Sequence, residues 1–438
     1  MTQYTEDGPG PAPYVDVDRP VVLRAARLLT GAYADVVTDG GVLVDGGRIA
    51  AAGPWAAVAG SVPDGVGVLD LGDVTLMPGL IDCHVHLAMD ASADRVDNDF
   101  DVPDADLVCR MVHSARRLLD AGVTTARDLG CPGTLAVSVR DAIARGQVPG
   151  PRMRVANAPI TVTGGHAWPM GGEADGVLEV TRQVRLRARE GADLVKIMST
   201  GGFMTAGSKP WQARYTVEEL RAAAEEAHRL NMPVTTHALG VEGIDRAARA
   251  GIDMIEHCGW VTADGTRFDP DVAARLVEAD VAVCPTMNTA CLPAPYFCPW
   301  DVREHLVANL RAMLDAGVTI VAGTDAGIGL VPFERYADGL DVLAEAGMSA
   351  RDVLAAATER AAAAIGLSGV TGRIEPGLAA DLLAVPGDPV ADLSVLHRPS
   401  YVVAAGRGHR CRPHPPIDAK AHRTAERIRT LLTERSGR

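Results

Sequence analysis

"GLIDCHVHLAMD", Gly79 to Asp90, begins as an apolar run and ends with two histidines one residue apart. Side chains alternate faces along a strand, so His84 and His86 would share one side and present both imidazoles at its C-terminal end. A core would rather have valine there. Alone the pair is weak evidence, because two hydrogen-bonded histidines at a strand end would look the same. Its meaning depends on whether other apolar runs end in the same way.

They do. "ADLVKIMSTGG" holds Lys196 inside an apolar run, where an unpaired ammonium costs several kcal/mol to desolvate. "MPVTTHALG" carries His237, "IDMIEHCGW" carries His257 and "VTIVAGTDAG" carries Asp325. Each of these residues closes a separate apolar run, a recurrence that scattered core polar groups do not produce.

The runs fall into a series. Candidate strands are Val74 to Ile81, Val123 to Arg127, Arg154 to Ile160, Leu194 to Met198, Val234 to His237, Met254 to His257, Val281 to Thr286 and Thr319 to Gly323. Between them lie helical patterns such as "DADLVCRMVHSARRLLDAG", "TVEELRAAAEEAHRLN" and "DPDVAARLVEAD", with apolar residues at helical spacing. Serial strand–helix units with near-continuous apolar strands predict an α/β fold, a (β/α)8 TIM barrel spanning 76–367. Its catalytic face is the C-terminal end of the strands, where the polar residues fall.

On either side the texture differs. "VVLRAARLLTG" and "GGVLVDGGRIAAAG" alternate β-branched and polar residues around Gly-rich turns, and "GRIEPGLAADLLAVPGD" and "YVVAAGRGHR" repeat this near the far end. Residues 19–75 and 368–412 are expected to form one composite β-sandwich domain. Residues 1–18, acidic and rich in Pro and Gly, are expected to be disordered; 413–438 read as a basic, amphipathic helical tail.

Composition narrows the function. The 438 residues are 47% hydrophobic and 22% charged with a formal net charge of -14, and no long basic run precedes the tail, so nucleic acid is not an expected partner. A small molecule or a peptide is. The start lacks the basic and apolar regions of a secretory signal, and no apolar run is long enough to span a bilayer, which reads as cytoplasmic with no membrane partner. The eight cysteines are dispersed like reduced thiols. "CLPAPYFC", Cys291 to Cys298, has the wrong spacing for a zinc knuckle. No nucleophile elbow, Walker sequence or dinucleotide fingerprint lies between a strand and a helix.

From about Val21 to about Arg407 the sequence resembles the amidohydrolase superfamily, in its branch with a carboxylated lysine and two metals. Within it, "LVKIMSTGG", "THALGVEGIDRAARAGIDMIEHC" and "AGTDAG" look like the bacterial Xaa-Pro dipeptidases, which are prolidase-like, and the imidazolonepropionase-related enzymes. The resemblance implies that His84, His86 and Asp325 bind one divalent metal and His237 and His257 a second. Lys196, as a carbamate formed with carbon dioxide, would bridge them. Zinc fits the imidazole and carboxylate set, although manganese, cobalt and iron occupy similar sites. The implied chemistry is attack of a metal-bridging hydroxide on an amide carbonyl, with Asp325 passing a proton to the leaving nitrogen. Mononuclear deaminases of the superfamily usually place a glutamate three residues after the strand-five histidine; here that residue is Gly240.

Substrate choice would come from the loops after the strands. His166 in "TVTGGHAWPMGG" resembles a histidine of the prolidase-like enzymes and implies a hydrogen bond to substrate or transition state. Arg214 and Tyr215 are candidates to hold the carboxylate of a dipeptide or N-acyl amino acid, with surface-loop roles as the alternative. Trp168, Trp211, Phe203, Tyr296 and Phe297 offer aromatic walls. The same site could serve a urea, carbamate or cyclic amide, or a non-hydrolytic cyclisation or dehydration. Barrels of the family often associate, and the tail helix offers one surface for a homo-oligomer. A silent scaffold is disfavoured because no expected ligand is missing.

Overall fold

The computed structural model describes residues 19–91, 100–292, 301–414 and 430. The acidic start, Tyr296, Phe297, Cys298 and all of the tail except residues 413, 414 and 430 lie outside them.

The protein has an α/β fold in which parallel ladders alternate with helices, and a separate sheet is drawn from both ends of the chain. That sheet runs in the order Arg407–Arg410, Tyr401–Ala404, Leu382–Pro386, Val74–Pro78, Val21–Leu28, Val37–Asp45, Arg48–Pro54, with Gly67–Asp70 also paired to Val21–Leu28. Leu382–Pro386 pairs antiparallel with Val74–Pro78, which stitches the two ends of the sequence together. Leu23, Leu28, Val44, Leu382 and Val403 belong to its apolar core, and Val22, Leu43 and Val58 cluster separately.

The expected strand Val74 to Ile81 is two strands. Val74–Pro78 stays in the terminal sheet, and Leu80–Val85 begins the parallel series. Proline at 78 stops the first ladder, and Gly79 lets the backbone pass Thr124, whose Oγ1 would lie 2.0 Å from any Cβ at 79.

One parallel ladder joins Leu80–Val85, Val123–Asp128 and Arg152–Val155. A second joins Val195–Met198, Val234–Gly240, Met254–Thr262 and Ala282–Cys284. Parallel bridges link Ile160 to Ile197, Val283 to Ile320 and Val85 to Ala326. The expected strand from Thr319 to Gly323 is reduced to the Ile320 bridge. Leu80–Val85, Val123–Asp128 and Val234–Gly240 are buried along their whole length, as strands covered on both faces must be.

The helices follow from their sequences. Val217–Arg229 starts at a capping box between Thr216 and Glu219 and buries Leu220, Ala223, Ala224 and Ala227 at helical spacing. Pro270–Glu278 begins with proline after the Asp269 cap. No helix among the described residues is long and apolar enough to cross a membrane.

Candidate active site

At the C-terminal ends of the parallel strands, three donor atoms converge. His84 Nε2 lies 3.2 Å from His86 Nε2 and 3.2 Å from Asp325 Oδ1, and His86 Nε2 lies 3.1 Å from the same oxygen. The backbone sets this triangle: Asp325 N–H donates to the His84 carbonyl at 2.7 Å and His86 N–H to the Ala326 carbonyl at 2.7 Å. Asp82, buried beneath, accepts from His84 N–H at 3.1 Å and from Thr324 N–H at 3.0 Å, locking the two segments together. Burial raises the Asp82 pKa to about 6 despite those bonds.

Each of the four histidines has one ring nitrogen committed elsewhere, which fixes its tautomer. His84 Nδ1 faces Glu256 Oε2 at 2.9 Å and His86 Nδ1 faces the Gly130 carbonyl at 3.5 Å. His237 Nε2 meets the Gly201 carbonyl at 3.0 Å. His257 Nδ1 lies 2.8 Å from Thr286 Oγ1, whose own hydrogen goes to the Pro285 carbonyl. Carbonyls and carboxylates only accept, so each committed nitrogen carries the hydrogen. Lone pairs are left on Nε2 of His84, His86 and His257 and on Nδ1 of His237. The rings are neighbours: centroids are 5.1 Å apart for His84 and His257 and 4.6 Å for His237 and His257. Donors of His84, His257 and Asp325 lie within 4.8 Å of one another.

Acceptors gathered without a donor between them repel unless a cation joins them. Asp325 Oδ1 is buried with no hydrogen-bond partner of acceptable geometry, and so is Lys196 Nζ. Burial opposes charge on His84, yet Asp325 and Glu256 outweigh it and raise its pKa, so the pocket stabilises positive charge between these donors. Asp325 is held well below the usual carboxylate range: burial works against this, and the two histidines override it. Desolvation takes His257 down to about 3, which leaves it neutral. It also lowers Lys196 to about 8, making its amine easier to deprotonate. Donor separations near 3.2 Å suit one ion held at about 2.0–2.2 Å.

The site also sits on strained backbone. His257, Thr286 and Asp325 have φ of 70°, 52° and 63°, a region that is unusual above all for a β-branched threonine.

Above the donors opens a cavity of about 850 Å³. His166 lines it, its ring centroid 4.6 Å from that of His237 and its Nδ1 3.1 Å from Thr205 Oγ1. Burial lowers its pKa to about 4. Trp168 and Phe203 line the cavity as expected. Arg214 and Tyr215 do not. The Tyr215 hydroxyl is buried and donates to the Ala174 carbonyl at 2.8 Å. Arg214 is exposed in a separate groove with Trp211 and Gln212, because its backbone N–H pairs with the Ser199 carbonyl and carries the segment away from the cavity.

Residues 75–407 match the model of the amidohydrolase family. The chain belongs to the amidohydrolase family. With that family it is a hydrolase acting on carbon–nitrogen bonds. It is 30% identical over 384 residues to an ochratoxinase of Aspergillus niger, covering 78% of this chain and 76% of that protein. An imidazolonepropionase of Rhizorhabdus wittichii is 30% identical over 398 residues, covering 82% and 91%. The crystal structure of a Xaa-Pro dipeptidase with bound methionine in the active site superposes with a TM-score of 0.78 at 28% identity, covering 89% of this chain and 100% of that one.

This amidohydrolase also has buried residues that the sequence reading passed over. Glu256 holds His84 and takes a 2.6 Å bond from Arg127, while Arg127 Nε reaches the Cys83 carbonyl at 2.7 Å. The signal was present: a carboxylate inside "DMIEHC" is as anomalous in an apolar run as Lys196 in its own.

Proposed function

We propose that this amidohydrolase is a binuclear metal-dependent enzyme that cleaves an amide C–N bond of a small-molecule substrate. The observation that carries the reading is the set of four tautomer-fixed imidazoles, whose free lone pairs share one pocket with the unpartnered Asp325 Oδ1 and Lys196 Nζ. His84, His86 and Asp325 would hold one ion, His237 and His257 the other, and Lys196 as its carbamate would bridge them. Divalent cations held by these donors, zinc being the best match, would supply hydroxide at neutral pH and polarise the scissile carbonyl.

The chain's own groups do the rest. Asp325 would take the proton at Oδ2, the oxygen left over when Oδ1 serves as a donor to the ion, and deliver it to the leaving nitrogen, so that an amine rather than an amide anion departs. The Thr205 hydroxyl accepts from Ala167 N–H at 3.1 Å and lies 3.1 Å from His166 Nδ1, to which we propose it donates its own hydrogen. His166 then carries its hydrogen on Nε2, the donor that a developing oxyanion needs. Met170 and Leu239 add apolar lining to the same cavity.

For the architecture, we propose that the parallel ladders and the three bridges close as a (β/α)8 barrel over 76–367. The terminal sheet would form the small sandwich domain from 19–75 and 368–412.

The test is metal analysis beside turnover. Two equivalents per chain and amide hydrolysis that is lost on chelation and restored by zinc are expected. Fewer than one equivalent after purification from supplemented medium would sink the binuclear reading.

A further inference from the structure

One wall of the cavity above the donors is a helix. The helix Arg303–Asp315 presents Leu306, Asn309, Leu310 and Met313, spaced at i, i+3, i+4 and i+7, so one continuous stripe of it faces the cavity. The adjoining face is tied down. Arg303 Nε donates to the Cys291 carbonyl at 2.6 Å and its guanidinium grips Glu345, while Arg311 Nε reaches the Ala346 carbonyl at 3.1 Å. The helix packs on Met254–Thr262, where Val261 continues the apolar lining, and Leu239 joins it from the neighbouring strand.

Charge tells the same story. Among the described residues, no arginine and no lysine other than Lys196 lines the cavity, whereas Asp101 and Asp301 do. A free carboxylate entering here would lose its water and, apart from Lys196, meet no lysine or arginine among the described residues. At about 850 Å³ the space lies high in the range of about 300–1,000 Å³ that suits drug-sized ligands.

We infer that the substrate is recognised by a bulky, uncharged apolar group, a fused ring pair or larger, seated against the Leu306–Leu310–Met313 stripe, and not by a charged terminus held by a cation. This rests on the amide-hydrolase reading for the bond cleaved, but not for the group bound. A planar aromatic group would gain by leaving water for this wall, and the acyl or amine part beyond it would reach the histidines.

The test compares 2-naphthoylglycinamide, acetylglycinamide and the dipeptide Ala-Pro on the zinc-loaded full chain, read as released amine and as retention in equilibrium dialysis. The naphthoyl amide should show a kcat/KM at least ~100-fold above the other two. Half-buried Leu306 allows a variant that folds: Leu306→Asn should shrink the naphthoyl-to-acetyl ratio about tenfold, and Leu306→Met should keep it. Equal turnover of the three, a preference for Ala-Pro, or a Leu306→Asn ratio equal to wild type would overturn the inference. If no amide is cleaved, dialysis still decides. Retention of the naphthoyl compound that weakens in Leu306→Asn upholds this inference and removes the amide reading of the bond cleaved; no retention removes the inference itself.

Discussion

The floor and the wall of the cavity are built on opposite principles. On the floor, the histidines are held by second residues, His84 by Glu256, His257 by Thr286 and His237 by the Gly201 carbonyl, and the Asp325 segment is pinned through Thr324 and Asp82. On the wall, Leu306, Leu310 and Met313 make contacts without direction. A hydrogen bond fixes a donor to a few tenths of an ångström, whereas apolar packing fixes only volume and tolerates exchange at similar size. The floor is therefore where chemistry is specified, and the wall is where a related enzyme can change substrate without disturbing it.

That contrast predicts very different sensitivities. The largest effect should come from Lys196→Ala, which removes the buried amine proposed to bridge two ions. We expect at least ~1,000-fold loss of kcat and about one metal equivalent in place of two, read by activity and metal analysis on the same sample. Wild-type turnover in this variant would remove the carbamate assignment.

Next should come Glu256→Gln, one shell further out. The amide oxygen can still accept from His84 Nδ1–H, but the charge that holds Arg127 and raises the basicity of His84 is gone. Metal affinity should fall about 10- to 100-fold in competition with a chelator while the fold is retained. Glu256→Ala should do more, because an unpaired buried guanidinium costs about 3–5 kcal/mol of stability, visible as a fall in the denaturant midpoint.

These two residues also mark how far the sequence could be read. His84, His86, Lys196, His237, His257 and Asp325 stood out because a polar group inside an apolar run is costly, and strand alternation then told which side each occupied. Glu256 obeyed the same rule but was masked by the histidine beside it. Arg214 and Tyr215 failed for a different reason. Nearness in sequence to a strand end says nothing about direction, and the antiparallel bridge between Thr200 and Ala213 turns that segment outward. The split at Gly79 was hidden because one apolar run serves two sheets. The helical stripe at Leu306 was hidden because periodicity reveals an apolar face without saying what covers it.

Between floor and wall stands Gly202. A Cβ there would lie 2.5 Å from His166 Nε2, and the ring rests directly on the glycine. Gly202→Ala should push His166 aside and lower kcat about 10- to 100-fold, with metal content unchanged, since no donor of the floor is touched. Loss of metal in this variant would show that His166 belongs to the floor and not to the substrate.

The smallest effect is the most diagnostic for specificity. If a cation outside the cavity selected substrates by their carboxylate, Arg214→Ala would raise KM for Ala-Pro and leave neutral amides alone. Arg214 is exposed in its own groove, so we expect less than a twofold change in kcat/KM for either, within the ordinary range of surface substitutions. A tenfold rise in KM confined to Ala-Pro would mean that the loop from Gly201 to Tyr215 swings over the cavity when substrate binds, and that the wall then gains the charge of Arg214.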